Sequence, residues 1–257
     1  MRIRWILEKE EVLNIKKFVE AFESHPFVKR RIVRNVNIKS VPDIDREKVW
    51  YLMLTCLLST QQRSGPGSPI YRFCSQKPFP LSYQKCFSQK EDLSSFVEYN
   101  LTNFGGIRRA PTIGLQAEKN FKWVKESWSK TKDIAYELLT IRKLRPNIEH
   151  VQIERKGAHF IQENFSGFGP KQSRNFWQGL GLSRFEIPLD SRITKWLNKN
   201  KFPVTLSANG LADINYYEFI MTGVQQICMQ CNILPCVFDA AVFASFEKEW
   251  PEDEIVW

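Results

Sequence analysis

The sequence predicts an all-α protein. Three observations carry that expectation: apolar residues recur at helical spacing along most of the chain, strand-like alternation is scarce, and 43% of the 257 residues are apolar, enough for a substantial core. The loops at 64–80 and near 201–210 lack the composition of flexible linkers, so lobes that share the chain are expected rather than two separate beads. There is no internal repeat and no low-complexity tract.

Near the N-terminus, RRIVRNVNIKSV (30–41) has brief extended character, and VKRRIVRN (28–35) reads as a solvated basic face. In DIDREKVWYLMLTCLLSTQQ (43–62), Asp43 or Asp45 caps a helix along which Val49, Trp50, Met53, Leu54, Leu57 and Leu58 follow at helical spacing. The glycines and prolines at 65–69 of RSGPGSPIYRF then force a loop. EDLSSFVEYNLTNF (91–104), FKWVKESWSKTKDIAYELL (121–139) and HVQIERKGAHFIQENF (150–165) carry further helical patterns. So do SRITKWLNK (191–199), NYYEFIMTGVQQICMQC (215–231) and FDAAVFASFEKEW (238–250). Phe176, Trp177 and Trp196 suit a core, and His159 a structural role.

Lys plus Arg outnumber Asp plus Glu by 37 to 28, a net charge of +9, which suits a polyanionic partner such as nucleic acid. No apolar run reaches the length of a membrane span, and the opening MRIRWILEKEEVL is too charged for a secretory signal. The six cysteines at 56, 74, 86, 228, 231 and 236 are therefore expected as thiols in a reducing compartment, the cytoplasm, or the nucleus if the source is eukaryotic.

Chemistry concentrates around GFGPKQS (167–173). One helix is expected to end near Phe165 and the next to begin at Pro170, a residue suited to a first helical position. Gly167 and Gly169 permit backbone conformations closed to other residues, and the bare N–H groups at the helix start offer a seat for a phosphate. Nothing in the turn reads a base, so such contact is independent of sequence. Lys171 stands at the positive end of the new helix, where an ammonium ion is disfavoured and the neutral, nucleophilic amine favoured. Asp190 follows 19 residues later, in EIPLDSRITKW, at another expected helix start. It suits an N-cap, and equally a proton acceptor for Lys171 that balances positive charge on a sugar.

This arrangement resembles the helix-hairpin-helix and Gly/Pro…Asp signature of the endonuclease III and 8-oxoguanine glycosylase-like DNA glycosylases. Gly167, Gly169, Lys171, Ser173, Asp190, Ser191 and Arg192 fall in register with it. LLSTQQR (57–63) is similar to a stretch ending an early helix of that family, and GGIRRAPTI (105–113) is loosely similar to a second segment. The resemblance implies an all-α, two-lobed fold with a central cleft: a helical barrel lobe at 43–183 carrying the hairpin, and a second lobe of 1–42 with 184–257. It implies a DNA repair enzyme, a bifunctional glycosylase and AP lyase, acting as a monomer on double-stranded DNA that holds a damaged base or an abasic site. By the same resemblance Lys171 attacks C1′ and forms a Schiff base, Asp190 is its catalytic partner, Gly167 and Gly169 grip DNA, and Gln61 fills the gap left by a flipped nucleotide. The C-terminal aromatics Phe238, Phe243 and Phe246 lie where relatives line the base pocket.

An oxidised purine resembling 8-oxoguanine is the expected substrate. The alternatives are an oxidised pyrimidine or other modified base, and, in a different class, a non-catalytic DNA-binding hairpin module. Many endonuclease III relatives hold an iron–sulfur cluster on four cysteines spaced C-x6-C-x2-C-x5-C. Here Cys228, Cys231 and Cys236 have a different spacing and no fourth cysteine follows, so structural thiols are expected, with no metal and no cofactor.

Overall fold

The computed structural model describes residues 3–89, 92–247 and 250–251, and among them it contains helices and no strand. The helices are α1 (Lys9–Glu20), α2 (Pro26–Arg31), α3 (Arg46–Leu58), α4 (Pro69–Cys74), α5 (Tyr83–Phe87), α6 (Leu93–Phe104) and α7 (Ala110–Glu126). They continue with α8 (Trp128–Arg142), α9 (His150–Asn164), α10 (Pro170–Gly179), α11 (Ser191–Lys199), α12 (Ile214–Gln230) and α13 (Pro235–Phe246). Asp45, and not Asp43, caps α3, its carboxylate accepting from the N–H of Lys48. The expected loop after α3 contains the short helix α4, started by a Ser68 cap and Pro69. The helical pattern at 121–139 is two helices, broken at Ser127.

Residues 30–41 are not extended. Arg30 and Arg31 end α2, and Ile32–Val36 continue it as one π-helical turn before the chain straightens at Asn37. Nor is 28–35 a solvated basic face: Val28, Arg31 and Asn35 are buried. Neighbouring acceptors decide this. The Asn35 amide donates to the carbonyls of Gln178 and Ser183 (3.0 and 2.8 Å), and Arg142 of α8 donates to those of Arg34, Asn37 and Ser40.

The side chains bury into one large core and two smaller ones. The large core draws on residues between Val49 and Leu182, with Trp50, Met53, Phe176 and Trp177 fully enclosed. A second joins Val19 of α1 to side chains between Ile187 and Val242, including Tyr217, Met221 and Phe238, with Trp196 packed edge-on to Phe238. The third is small and joins Phe27 and Val28 to Ala240, Ala244 and Trp250. Among the described residues no single helix is long and apolar enough to cross a membrane.

The connection at 183–190 passes between the cores and is held by a buried carboxylate. Glu154 of α9 accepts from the N–H groups of Arg184, Phe185 and Glu186 and from the Ser183 hydroxyl. Burial raises the Glu154 pKa and these hydrogen bonds oppose the rise.

Candidate active site

Helices α9 and α10 form the expected hairpin. Gly167 is at φ +85°, and a Cβ there would meet the Gln116 side chain at 2.6 Å, so the turn requires glycine. Gly169 differs from expectation. Its φ of −90° and ψ of −172° suit any residue, and a Cβ would meet nothing within 4 Å; glycine leaves a bare surface there rather than permitting a special conformation. The Asn120 amide braces the turn, donating to the Ser166 carbonyl and accepting from its N–H (3.0 and 2.7 Å). No side chain caps α10, which leaves its first N–H groups at the mouth of a groove.

Lys171 is the second residue of α10 and is half-buried. Its neighbour Gln172 anchors this end of the helix to the end of α3, donating to the Cys56 carbonyl (2.7 Å) and the Thr60 hydroxyl (2.8 Å). Among the described residues the Lys171 amine has no hydrogen bond and no ion pair. It lines both the open groove, about 1140 Å³, and a smaller inner cavity of about 80 Å³.

Asp190 lines the same two spaces. It caps α11, as its position suggested: Oδ1 accepts from the N–H groups of Arg192 and Ile193 (2.8 and 3.1 Å). Oδ2 accepts from the Arg192 guanidinium at 3.0 Å. The approach to Asp190 is pinned by the buried Tyr217 hydroxyl, which accepts from the Leu189 N–H and donates to the Ile187 carbonyl. Arg174 of α10 stacks its guanidinium over the Tyr217 ring at 4.6 Å, so the helix of Lys171 and the segment leading to Asp190 share one support. Arg174 also pairs with the buried Glu186 (2.6 Å), and His159 joins this cluster through Glu218.

Gln61 lies just beyond α3 on the groove wall, exposed and at φ +59°. Arg108 donates to its carbonyl, while the Gln62 side chain bonds the Arg108 backbone in both directions. The segment after α3 is thus clasped to the one before α7.

Several residues of the inner cavity escaped sequence reasoning. Arg31 and Asp239 form a buried pair at 2.8 Å, 208 residues apart in the chain. Burial pushes the Asp239 carboxyl up to about 6, against the pull of Arg31. Arg34 is pushed down to about 9 by burial and by the charges of Arg31 and Arg30. Cys56 faces the cavity as a thiol: burial drives it up to about 12 although the Lys171 charge opposes this. Of the three C-terminal aromatics, Phe238 is core, Phe246 is exposed at the groove, and Phe243 lines the cavity. Phe27 stacks on Phe243 at 4.3 Å, and Arg192 sits over its ring at 4.2 Å while pairing with Glu247. The one sequence signal was the lone acid in VFDAAVF, a charge among apolar residues of α13.

Cys228, Cys231 and Cys236 are buried free thiols, with burial raising each. Among the described residues no group of three or more His, Cys, Asp or Glu side chains is placed to hold a metal ion.

No family profile and no curated protein matches the chain. Its fold does match solved structures. The crystal structure of Methanocaldococcus jannaschii 8-oxoguanine DNA glycosylase superposes with a TM-score of 0.64 at 18% identity, covering 94% of this chain and 97% of that one. The fold is that of the helix-hairpin-helix DNA glycosylases. A second structure, M. jannaschii 8-oxoguanine glycosylase/lyase in complex with a 15mer DNA containing 8-oxoguanine, gives the same TM-score at 15% identity over 93% of this chain and 99% of that one. In this glycosylase fold the hairpin of α9 and α10 brings Lys171 to the same cavity as Asp190.

Proposed function

We propose that the protein is a DNA glycosylase with AP-lyase activity that removes an oxidised purine resembling 8-oxoguanine from duplex DNA. One observation carries the proposal: an amine without a partner, Lys171, and a helix-capping carboxylate, Asp190, line one cavity that opens into a groove beside the hairpin. The fold shared with two 8-oxoguanine glycosylase structures supports the substrate.

In this reading the hairpin turn holds a phosphate on the uncapped N–H groups of α10. The lesion nucleotide leaves the stack, and its base enters the inner cavity. Lys171, having given its proton to Asp190, attacks C1′ with its lone pair; the N-glycosidic bond breaks and its electrons leave with the base, which takes up a proton. The sugar ring opens to a Schiff base. Loss of a C2′ proton then expels the 3′ phosphate and cuts the strand. The three C-terminal cysteines act as structural thiols, so the protein is expected to be colourless and active after chelation.

Borohydride trapping tests this. The wild type should form a covalent complex with duplex holding an abasic or cognate lesion site. Lys171→Gln should bind such DNA and trap nothing. Asp190→Asn is informative because asparagine caps a helix as well as aspartate does, so it removes the charge and spares the cap. It should slow base release by a factor on the order of 10²–10⁴. Trapping by Lys171→Gln would assign the nucleophile elsewhere, and a wild type that traps on no such duplex would leave a non-catalytic hairpin module.

A further inference from the structure

Gln178 of α10 is 1% exposed, yet neither its Oε1 nor its Nε2 has a hydrogen-bond partner among the described residues. Its Nε2 approaches the Asp239 carboxyl without the geometry of a full hydrogen bond, close enough to help hold that group's proton affinity down, and its Oε1 is left with no donor. The side chain lines the inner cavity with Lys171 and Asp190, while its backbone carbonyl is occupied by Asn35. A buried amide left unsatisfied is costly, and at that depth an apolar side chain would be cheaper. The Nε–H of Arg31 lines the same cavity, buried and also without a partner.

Resting on the glycosylase reading above, we infer that Gln178 is a specificity-determining residue, its amide making a two-point contact with the edge of the everted base. A carboxamide offers one donor and one acceptor side by side, so it pairs with an edge that offers the converse. Both a lactam, N–H beside C=O, and an amidine, N beside NH₂, satisfy that rule. The other groups decide between them. Arg31 and Arg34 are guanidinium ions, donors with no acceptor capacity, and Oδ2 of Asp239 is already engaged by Arg31. A carbonyl-rich lactam edge satisfies these donors, whereas an exocyclic amino group leaves them unpaired and has the second Asp239 oxygen as its acceptor. The favoured base thus carries N–H flanked by carbonyl oxygen, as 8-oxoguanine does at N7 and C8.

The test compares base release with abasic-site trapping in the same preparation of full-length protein. Gln178→Met keeps the length of the side chain and removes both hydrogen-bonding atoms; Gln178→Glu keeps the shape and removes the donor. Each variant should show a ratio of 8-oxoguanine release to abasic-site trapping lower than wild type by roughly 10–100-fold, the worth of one bidentate base contact. 8-Oxoadenine presents the same N–H and carbonyl at N7 and C8, so Gln178→Met should lower its release by about the same factor as that of 8-oxoguanine. Thermal melts of both variants establish that they are folded. Trapping by the wild type with ratios within twofold of it in both variants overturns this inference alone, as for an amide that bonds a resident water. A wild type that neither traps nor releases any base overturns the glycosylase reading and this inference with it.

Discussion

Asp239 shows how a single side chain in the cavity reports on pH. Its folded-state pKa is raised from the usual 3.8 to about 6, chiefly by burial, so the folded protein holds this proton more tightly than the unfolded chain. Between about pH 4 and pH 6 the native state binds more protons, and stability therefore falls as pH rises through that window. The stabilisation is fully present below pH 4 and lost above about 6. A shift of this size corresponds to roughly 3 kcal/mol. Urea unfolding at pH 4 and pH 7 should show a difference between the two pH values that is smaller by about that amount in Asp239→Asn than in wild type. An identical pH dependence in the two proteins would show that Asp239 titrates normally. Arg31, its partner, is distant in sequence and lies in a stretch whose pattern is that of a solvated basic face; nothing local distinguishes a lysine or arginine that finds a buried carboxylate from one that does not.

The segment from α2 to Ser40 makes the same point for an element. Its β-branched run, IVRNV, favours extension, and its helical form depends on partners far along the chain. Arg142, 2% exposed, donates Nε to the Gly181 carbonyl (3.1 Å) and Nη2 to three carbonyls of this segment. Arg142→Met should leave those carbonyls unpaired and cost about 1–3 kcal/mol in urea unfolding. It should also speed amide exchange at 34–40 more than in α9, and uniform exchange would show that the clasp is dispensable. Helices with strong periodicity, α3 and α9 among them, were legible, as were the ends of the hairpin, because proline and glycine mark them locally. The break at Ser127 was not, since no proline or glycine marks it. At the site, local pattern placed Lys171 and Asp190 at helix starts; what surrounds them, Cys56, Asn175, Gln178 and Asp239, is assembled from three helices and has no linear signature.

For the molecule as a whole, the relevant quantity is the net charge of +9 and its presence along the groove, where Arg63, Arg108 and Lys195 join the uncapped end of α10. Binding to undamaged duplex should weaken with salt, log K falling against log salt with a slope of about −0.9 per phosphate neutralised. Lys195, exposed on the groove wall, makes no ion pair among the described residues, and Lys195→Ala should make the slope shallower by about 0.9. A salt-independent affinity would exclude nucleic acid as the partner.

The inner cavity measures about 80 Å³ with Arg192 resting on Phe243. A cavity of about 150 Å³ accommodates benzene, and a purine has two rings. On the glycosylase reading proposed above, the walls must therefore yield before a base is seated, and the free energy of that yielding is subtracted from whatever the seated base gains. The measured affinity for lesion DNA then understates the fit of the open form by the fraction of molecules already open. On the glycosylase reading an abasic site has nothing to seat and does not bear this cost, whereas a lesion gains its base contacts less the cost of opening the walls.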